Sequence, residues 1–325
     1  MSAEVEMGAD AEMGGKFEMG ADAASKALAK KYRAAVNAAL DALLTPNGIV
    51  TDERIPPQLA EQMRYAFLNG GKRIRPVFCL AACQAVCGEW ERALPAALAI
   101  EILHTYTLVH DDLPCMDNDE YRRGVLTNHA KFGYAQAVLT GDALQALAFQ
   151  LAAASELDAE KKAEIIEALA AAASAGGVIG GQWLDLFSTP PYSGELVGEV
   201  AMKKTADLLF TALEMGAIAG GATETQRNAL RHFGMSYGIA FQATDDLLDA
   251  DDPAKQNEMS FLRALKKEQI ANMVAMYTRT ALSALETTEW ADADNAVAVE
   301  WAGADGAAAI ALLREGASKL ASRTE

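Results

Sequence analysis

Ala93-Leu94-Pro95-Ala96-Ala97-Leu98-Ala99-Ile100-Glu101-Ile102-Leu103-His104-Thr105-Tyr106-Thr107-Leu108-Val109-His110-Asp111-Asp112-Leu113-Pro114-Cys115-Met116-Asp117 carries the fold in outline. Its first part, Ala93 to Val109, is apolar on most sides, as expected of a helix buried near the middle of a bundle, and Asp207 to Gly221 reads the same way. The chain is Ala-rich, with long periodic stretches such as Lys162 to Ala175 and Leu262 to Leu285, and no alternation marks a strand. The expected class is therefore all-α. Pro114 prevents a continuous turn, so the helix is expected to end or bulge near Leu113 and let the later acids fold back.

A second acidic cluster, Asp245-Asp246-Leu247-Leu248-Asp249, stands 134 positions after the first and also follows helix-compatible sequence. Gln242, Asp245 and Asp249 fall at i, i+3 and i+7, on one stripe of a helix. Two facing carboxylate clusters suit Mg²⁺, a hard ion that keeps waters and binds one or two carboxylates together with substrate phosphate oxygens. Cations stand beside them: Arg122-Arg123-Gly124 after the first cluster, and Gly70-Gly71-Lys72-Arg73-Ile74-Arg75-Pro76 far upstream. Glycines ahead of a helical run leave backbone N–H groups open to an anion, and Lys72 and Arg75 add charge at i, i+3. Arginine suits bidentate phosphate contact. His104 precedes Asp111 by seven residues and points the same way, roughly 10 Å along the axis, which suits two diphosphates held at different points of one cavity.

These segments resemble the trans-isoprenyl diphosphate synthases, and most of all the short-chain farnesyl and geranylgeranyl diphosphate synthases. The resemblance rests on Gly71–Pro76, His104–Asp119, Arg122-Arg123-Gly124, Thr140–Leu144, Gly180–Leu186, Lys204-Thr205 and Ala240–Asp246, in that order across roughly residues 60 to 285. It implies a helical bundle around a central cavity, isoprenyl diphosphates as substrates and a homodimer. It further implies that Asp111, Asp112, Asp117, Asp245 and Asp249 hold Mg²⁺ on the allylic diphosphate, and that Lys72, Arg75, His104 and Arg123 bind isopentenyl diphosphate. Arg122, Lys204, Thr205 and Gln242 are implied to line the allylic site, with Asp111, Asp117, Asp245, Arg122 and Lys204 as the catalytic set. In such enzymes the allylic C–O bond ionises, the cation is attacked by the double bond of isopentenyl diphosphate, and a proton is lost. The barrier is charge separation, so preorganised cations around the leaving group are the main lever.

In related enzymes the residues four and five before the first aspartate floor the cavity; here they are Thr107 and Tyr106, and a bulky Tyr106 is expected to stop growth at the fifteen-carbon farnesyl product. One departure stands out: about ten residues of the family's loop after the second cluster are missing, including a lysine that contacts the allylic diphosphate, with Lys255 as the local substitute. That departure keeps open a non-catalytic, prenyltransferase-like subunit. A geranylgeranyl synthase differs by cavity depth, and a terpene cyclase has no need of Lys72, Arg75 and His104.

At 325 residues and 51% hydrophobic content the chain can bury a large core, and no Pro/Gly/Ser-rich linker divides residues 26–325, so one prenyltransferase domain is expected there. A net charge of −17 argues against nucleic acid. No stretch reaches a clean transmembrane length without a polar interruption. Cys79, Cys83 and Cys87 recur at i+4 and, with no partner histidines, read as small core residues in a reducing, cytoplasmic setting. Residues 1–25, with Glu-Met-Gly at a period of six, read as a flexible acidic tail, and Ser25 as the cap of the first helix. Glu286 to Gly306 reads as a mobile excursion before a last helix over Ala307 to Leu320.

Overall fold

Helices make up nearly all the regular structure of the computed structural model, which describes residues 23–45, 53–251, 258–286, 288, 290 and 296–323. In chain order they are α1 (Ala23–Ala42), α2 (Pro57–Leu68), α3 (Ile74–Cys87), α4 (Leu94–Asp111), α5 (Asn128–Phe132), α6 (Tyr134–Ala153), α7 (Ala159–Ala173), α8 (Val178–Phe187), α9 (Gly194–Ala201), α10 (Asp207–Gly220), α11 (Glu224–Leu248), α12 (Lys267–Glu286) and α13 (Ala296–Ser322). One wider π turn, Met202–Ala206, joins α9 to α10. The all-α expectation holds.

Composition explains which helices lie at the centre. α3, α4 and α10 are apolar around most of their circumference and bury side chains in all directions. α10 lies against α3 because Gly216 lacks a Cβ; one placed there would stand 2.0 Å from the Cys79 carbonyl oxygen. The outer helices bury a single stripe instead, such as Tyr32, Val36 and Leu40 of α1 or Ile270, Val274 and Leu285 of α12. Cys79 and Cys83 are buried in this core as small apolar residues, and all four cysteines are free thiols.

Several boundaries differ from expectation. α1 already includes Ala23 and Ser25, so Ser25 lies inside the helix, and its Oγ donates to Glu315 Oε2 of α13 at 2.8 Å. The rest of the expected tail, residues 1–22, lies outside the described residues. α12 begins at Lys267, after a 3₁₀ turn over Phe261–Arg263, and not at Leu262. α13 begins at Ala296, eleven residues before the expected Ala307: Gly303 and Gly306 each cost about 1 kcal/mol in a helix, but the intervening alanines are the best helix formers. A hairpin unforeseen in the sequence pairs β1 (Tyr121–Arg122) with β2 (Val125–Leu126) through Arg123 and Gly124. Both turn residues have positive φ, 54° and 78°, as the tightest two-residue hairpins require. Residues 159–187 are long and apolar enough by composition to cross a membrane, yet the chain leaves the helix at Ser174 and resumes it at Val178, making two helices.

Candidate functional site

α4 ends at Asp111 and the chain turns back at once. The Asp117 N–H donates to the Asp111 carbonyl at 2.9 Å, and Asn118, with φ of 58°, donates its N–H to Leu113 O at 3.1 Å. This is the fold-back expected from Pro114, and it returns Asp117 to the side of Asp111. Burial, with repulsion from Asp117 and Asp112, pushes the Asp111 carboxyl up to about 7, against the pull of Lys204 and Arg122. Asp117 is raised in the same way, again with Lys204 opposing. On α11 burial raises Asp245 to about 6, with Asp249 and Asp246 repelling and Lys72 opposing. The stripe of Gln242, Asp245 and Asp249 thus has a charged cluster at one end of α11 and a counter-cation from the glycine turn. Among the described residues no three carboxylates, histidines or cysteines come close enough to cage a metal alone. An all-oxygen wall offering one or two carboxylates at a time is the donor set Mg²⁺ accepts when phosphate oxygens complete its shell.

Consecutive residues of the π turn join the two walls. Lys204 Nζ is hydrogen-bonded to Asp185 Oδ2 of α8 and acts on both Asp111 and Asp117. Thr205 Oγ1 donates to Gln242 Oε1 at 2.7 Å, and Gln242 Nε2 donates to Asp246 Oδ1 at 2.8 Å. Asp246 is buried and pushed up to about 6, chiefly by that burial, and its Oδ2 also accepts the Phe261 N–H at 2.6 Å. Lys204 therefore serves the first wall and Thr205 the second.

The cations divide into two groups. Arg122 is neutralised: its Nη2 lies 2.5 Å from Asp112 Oδ1 and 3.6 Å from Asp119 Oδ2. Arg73 is neutralised by Glu101 at 2.6 Å. Lys72, Arg75, His104 and Arg123 have no carboxylate within salt-bridge distance among the described residues. His104, Arg122, Arg123, Glu101 and Asp112 line one small pocket. Burial and the surrounding Arg75, Arg123, Arg122 and Arg73 hold His104 well below the ordinary histidine range, so it stays a neutral imidazole. Burial pushes Arg75 down to about 10, still protonated at neutral pH, and its Nε is buried without a partner. Arg123 Nη1 donates to Gly70 O at 2.6 Å, and a Cβ on Gly71 would stand 2.6 Å from that same nitrogen. Gly71, with φ of 120°, is thus required twice, for its backbone and for its lack of a side chain.

The structure gives several of the expected site residues protein partners. Asp112, expected to be a metal ligand beside Asp111, is 4% exposed and accepts from Arg122, the residue expected to line the allylic site. Thr205 and Gln242 are bonded to each other, and Asp246 accepts from the Gln242 amide. Lys255 lies outside the described residues. Tyr106 and Thr107 are both buried, at 5% and 8% exposure; the Tyr106 ring meets His110 edge-on at 5.7 Å, and its hydroxyl lies beside Gln145 of α6. Glu101, Asp185 and Asp246 were assigned no role from the sequence. Glu101 had a legible signal, a lone acid in an apolar helix, which is costly without a buried partner.

Relatives share this arrangement of helices. The apo structure of an FPP/GFPP synthase from Zymomonas mobilis superimposes with a TM-score of 0.75 at 33% identity, covering 89% of this chain and 97% of that one. A geranyltransferase from Helicobacter pylori, complexed with magnesium and isoprenyl diphosphate, gives 0.73 at 29% identity, covering 93% and 97%. The chain is 44% identical over 211 residues to heterodimeric geranylgeranyl pyrophosphate synthase large subunit 1 of Arabidopsis thaliana, covering 62% of this chain and 57% of that protein. It is 40% identical over 225 residues to a geranylgeranyl pyrophosphate synthase of Capsicum annuum, covering 68% and 59%. The matches span about three fifths of these plant proteins. The polyprenyl synthetase family model matches residues 56–289, acid walls and cation pocket included, and the chain belongs to that family.

Proposed function

We propose that this chain is a Mg²⁺-dependent prenyl diphosphate synthase that joins isopentenyl diphosphate to an allylic diphosphate and releases diphosphate, with geranylgeranyl diphosphate as its end product. The observation that carries the reading is the division of the cations: among the described residues Lys72, Arg75 and Arg123 have no carboxylate within salt-bridge distance, and Arg123 lines a pocket with neutral His104, which Arg75 also acts on. Such a pocket takes a diphosphate without metal, while the wall takes one only through metal. In this reading Asp111, Asp117, Asp245 and Asp249 hold Mg²⁺, which draws charge from the allylic leaving group. Lys204, anchored on Asp185, is a fixed ammonium beside Asp111 and Asp117 that stabilises negative charge gathering on the departing diphosphate. Arg75, Arg123 and Lys72 grip the other diphosphate, and the His104 imidazole adds an N–H donor without adding charge. Arg122, held by Asp112, keeps the hairpin in place.

The twenty-carbon product is supported by relatives of 40–44% identity named for it. Tyr106, a bulky buried side chain five residues before Asp111, supports farnesyl diphosphate as the second reading. Assembly as a homodimer belongs to the same proposal, although two relatives are named as large subunits of heterodimers. The test is to incubate the purified chain with Mg²⁺, isopentenyl diphosphate and each allylic starter, and to size the products by chromatography. Turnover is expected from the chain alone, and Asp111→Ala or Asp245→Ala is expected to lower kcat by roughly 10²- to 10³-fold or more with unchanged helicity. An inactive but folded wild-type chain defeats the catalytic reading.

A further inference from the structure

We propose that Arg73 is the positioning residue of the isopentenyl diphosphate pocket, fixing where Lys72 and Arg75 stand without touching the substrate. This rests on the function proposed above. Arg73 separates the two pocket cations in sequence, yet it is turned the opposite way and is 5% exposed. Its guanidinium ties three helices together: Nε donates to Asn37 Oδ1 of α1 at 3.1 Å, Nη1 to Glu101 Oε1 of α4 at 2.6 Å, and Nη2 to the Phe67 carbonyl at the end of α2 at 2.7 Å. Each of the three guanidinium nitrogens donates one bond, a planar arrangement that a lysine cannot reproduce.

The backbone indicates why so many contacts converge there. Arg73 has φ of 54° and ψ of 39°, a left-handed conformation costly for a residue with a Cβ, and persisting only where the surroundings over-determine it. With Gly70 and Gly71 also at positive φ, three of four consecutive residues before α3 are left-handed or glycine-specific. From this turn Lys72 acts electrostatically on Asp245 and Arg75 on His104, and the Gly70 carbonyl accepts from Arg123. Glu101, which accepts from Arg73, lies three residues before His104 on α4, so the same ion pair sets the distance between the turn and the imidazole. Lys72, Arg75 and the neutral His104 are thus referred to one buried guanidinium.

The experiment separates positioning from plain stability. Arg73→Lys keeps the charge and loses the fork, while the double variant Arg73→Met/Glu101→Met replaces the buried pair with apolar residues of similar volume, a change that is often neutral for folding. The KM for isopentenyl diphosphate should rise roughly 10- to 100-fold in both, with the allylic KM unchanged. Binding of inorganic pyrophosphate in EDTA, read by calorimetry, should weaken in parallel, because without metal only the cation pocket accepts it. A wild-type chain that binds pyrophosphate without turning over would remove the catalytic reading and leave this one standing. Folded variants that bind pyrophosphate as the wild type does, or in which both KM values rise together, overturn it.

Discussion

Asp246 shows how one carboxylate can hold a site without being a ligand. Its two oxygens accept from Gln242 and from the Phe261 N–H, so a residue of α11 anchors the 3₁₀ turn that precedes α12. Asp246→Asn keeps the shape but loses one acceptor, leaving either a buried N–H or the Gln242 amide unpaired. The expected loss of stability is about 1–3 kcal/mol, with a rise in the allylic KM, measured by denaturant unfolding and steady-state kinetics. A variant as stable as wild type would show that Phe261 is held by something else. At Tyr106 the expected effect is on the product: Tyr106→Ala removes the bulk beside Gln145 and should lengthen the longest prenyl chain formed, as read by chromatography. An unchanged product removes Tyr106 from the floor. Asp112 and Arg122 show what the sequence leaves unread at the residue scale. The resemblance implies a role for each, but their ion pair with one another depends on a hairpin that two-residue strands do not advertise.

Helices follow their composition more closely than their ends do. The apolar circumference of α4 and α10 was readable from residues 93–109 and 207–221, because burial on all sides needs apolar residues on all sides. The acid stripe of α11 was readable from its spacing alone. The early start of α13 and the helical placement of Ser25 were not, since both depend on packing between distant segments, as the Ser25–Glu315 hydrogen bond illustrates. Close approach of α10 to α3 is likewise a tertiary fact. Gly216→Val would put side-chain atoms into the Cys79 carbonyl and should destabilise the protein by about 1–3 kcal/mol, seen as a lower Tm with a cooperative transition. An unaltered Tm would mean that the two helices can part without cost.

For the molecule as a whole the acid walls carry a cost that varies with pH. Burial, then mutual repulsion, raises Asp111 to about 7 and Asp245 to about 6, above their unfolded values near 4. Such carboxyls bind protons more tightly in the native state, so stability due to them falls as pH rises from 4 through 7. Without metal, Asp111→Asn/Asp245→Asn should therefore be more stable than wild type at pH 8, on the order of 1 kcal/mol per group, and no more stable near pH 4. Differential scanning fluorimetry across that range checks it, and adding Mg²⁺ with pyrophosphate should raise the wild-type Tm more at pH 8 than at pH 5. A difference between variant and wild type that does not change with pH would contradict the assignment.

The hairpin at Arg122 and Arg123 has a further consequence. Arg122 is attached to the acidic loop through Asp112 and Asp119, and its sequence neighbour Arg123 to the glycine turn through Gly70, at the two-residue turn of one short ribbon. In the proposed function, a diphosphate that shifted Arg123 would act on Arg122 through this turn, which would link the two diphosphate sites. Linkage is reciprocal, so whatever factor one diphosphate contributes to the affinity of the second through this ribbon, the second must return to the first.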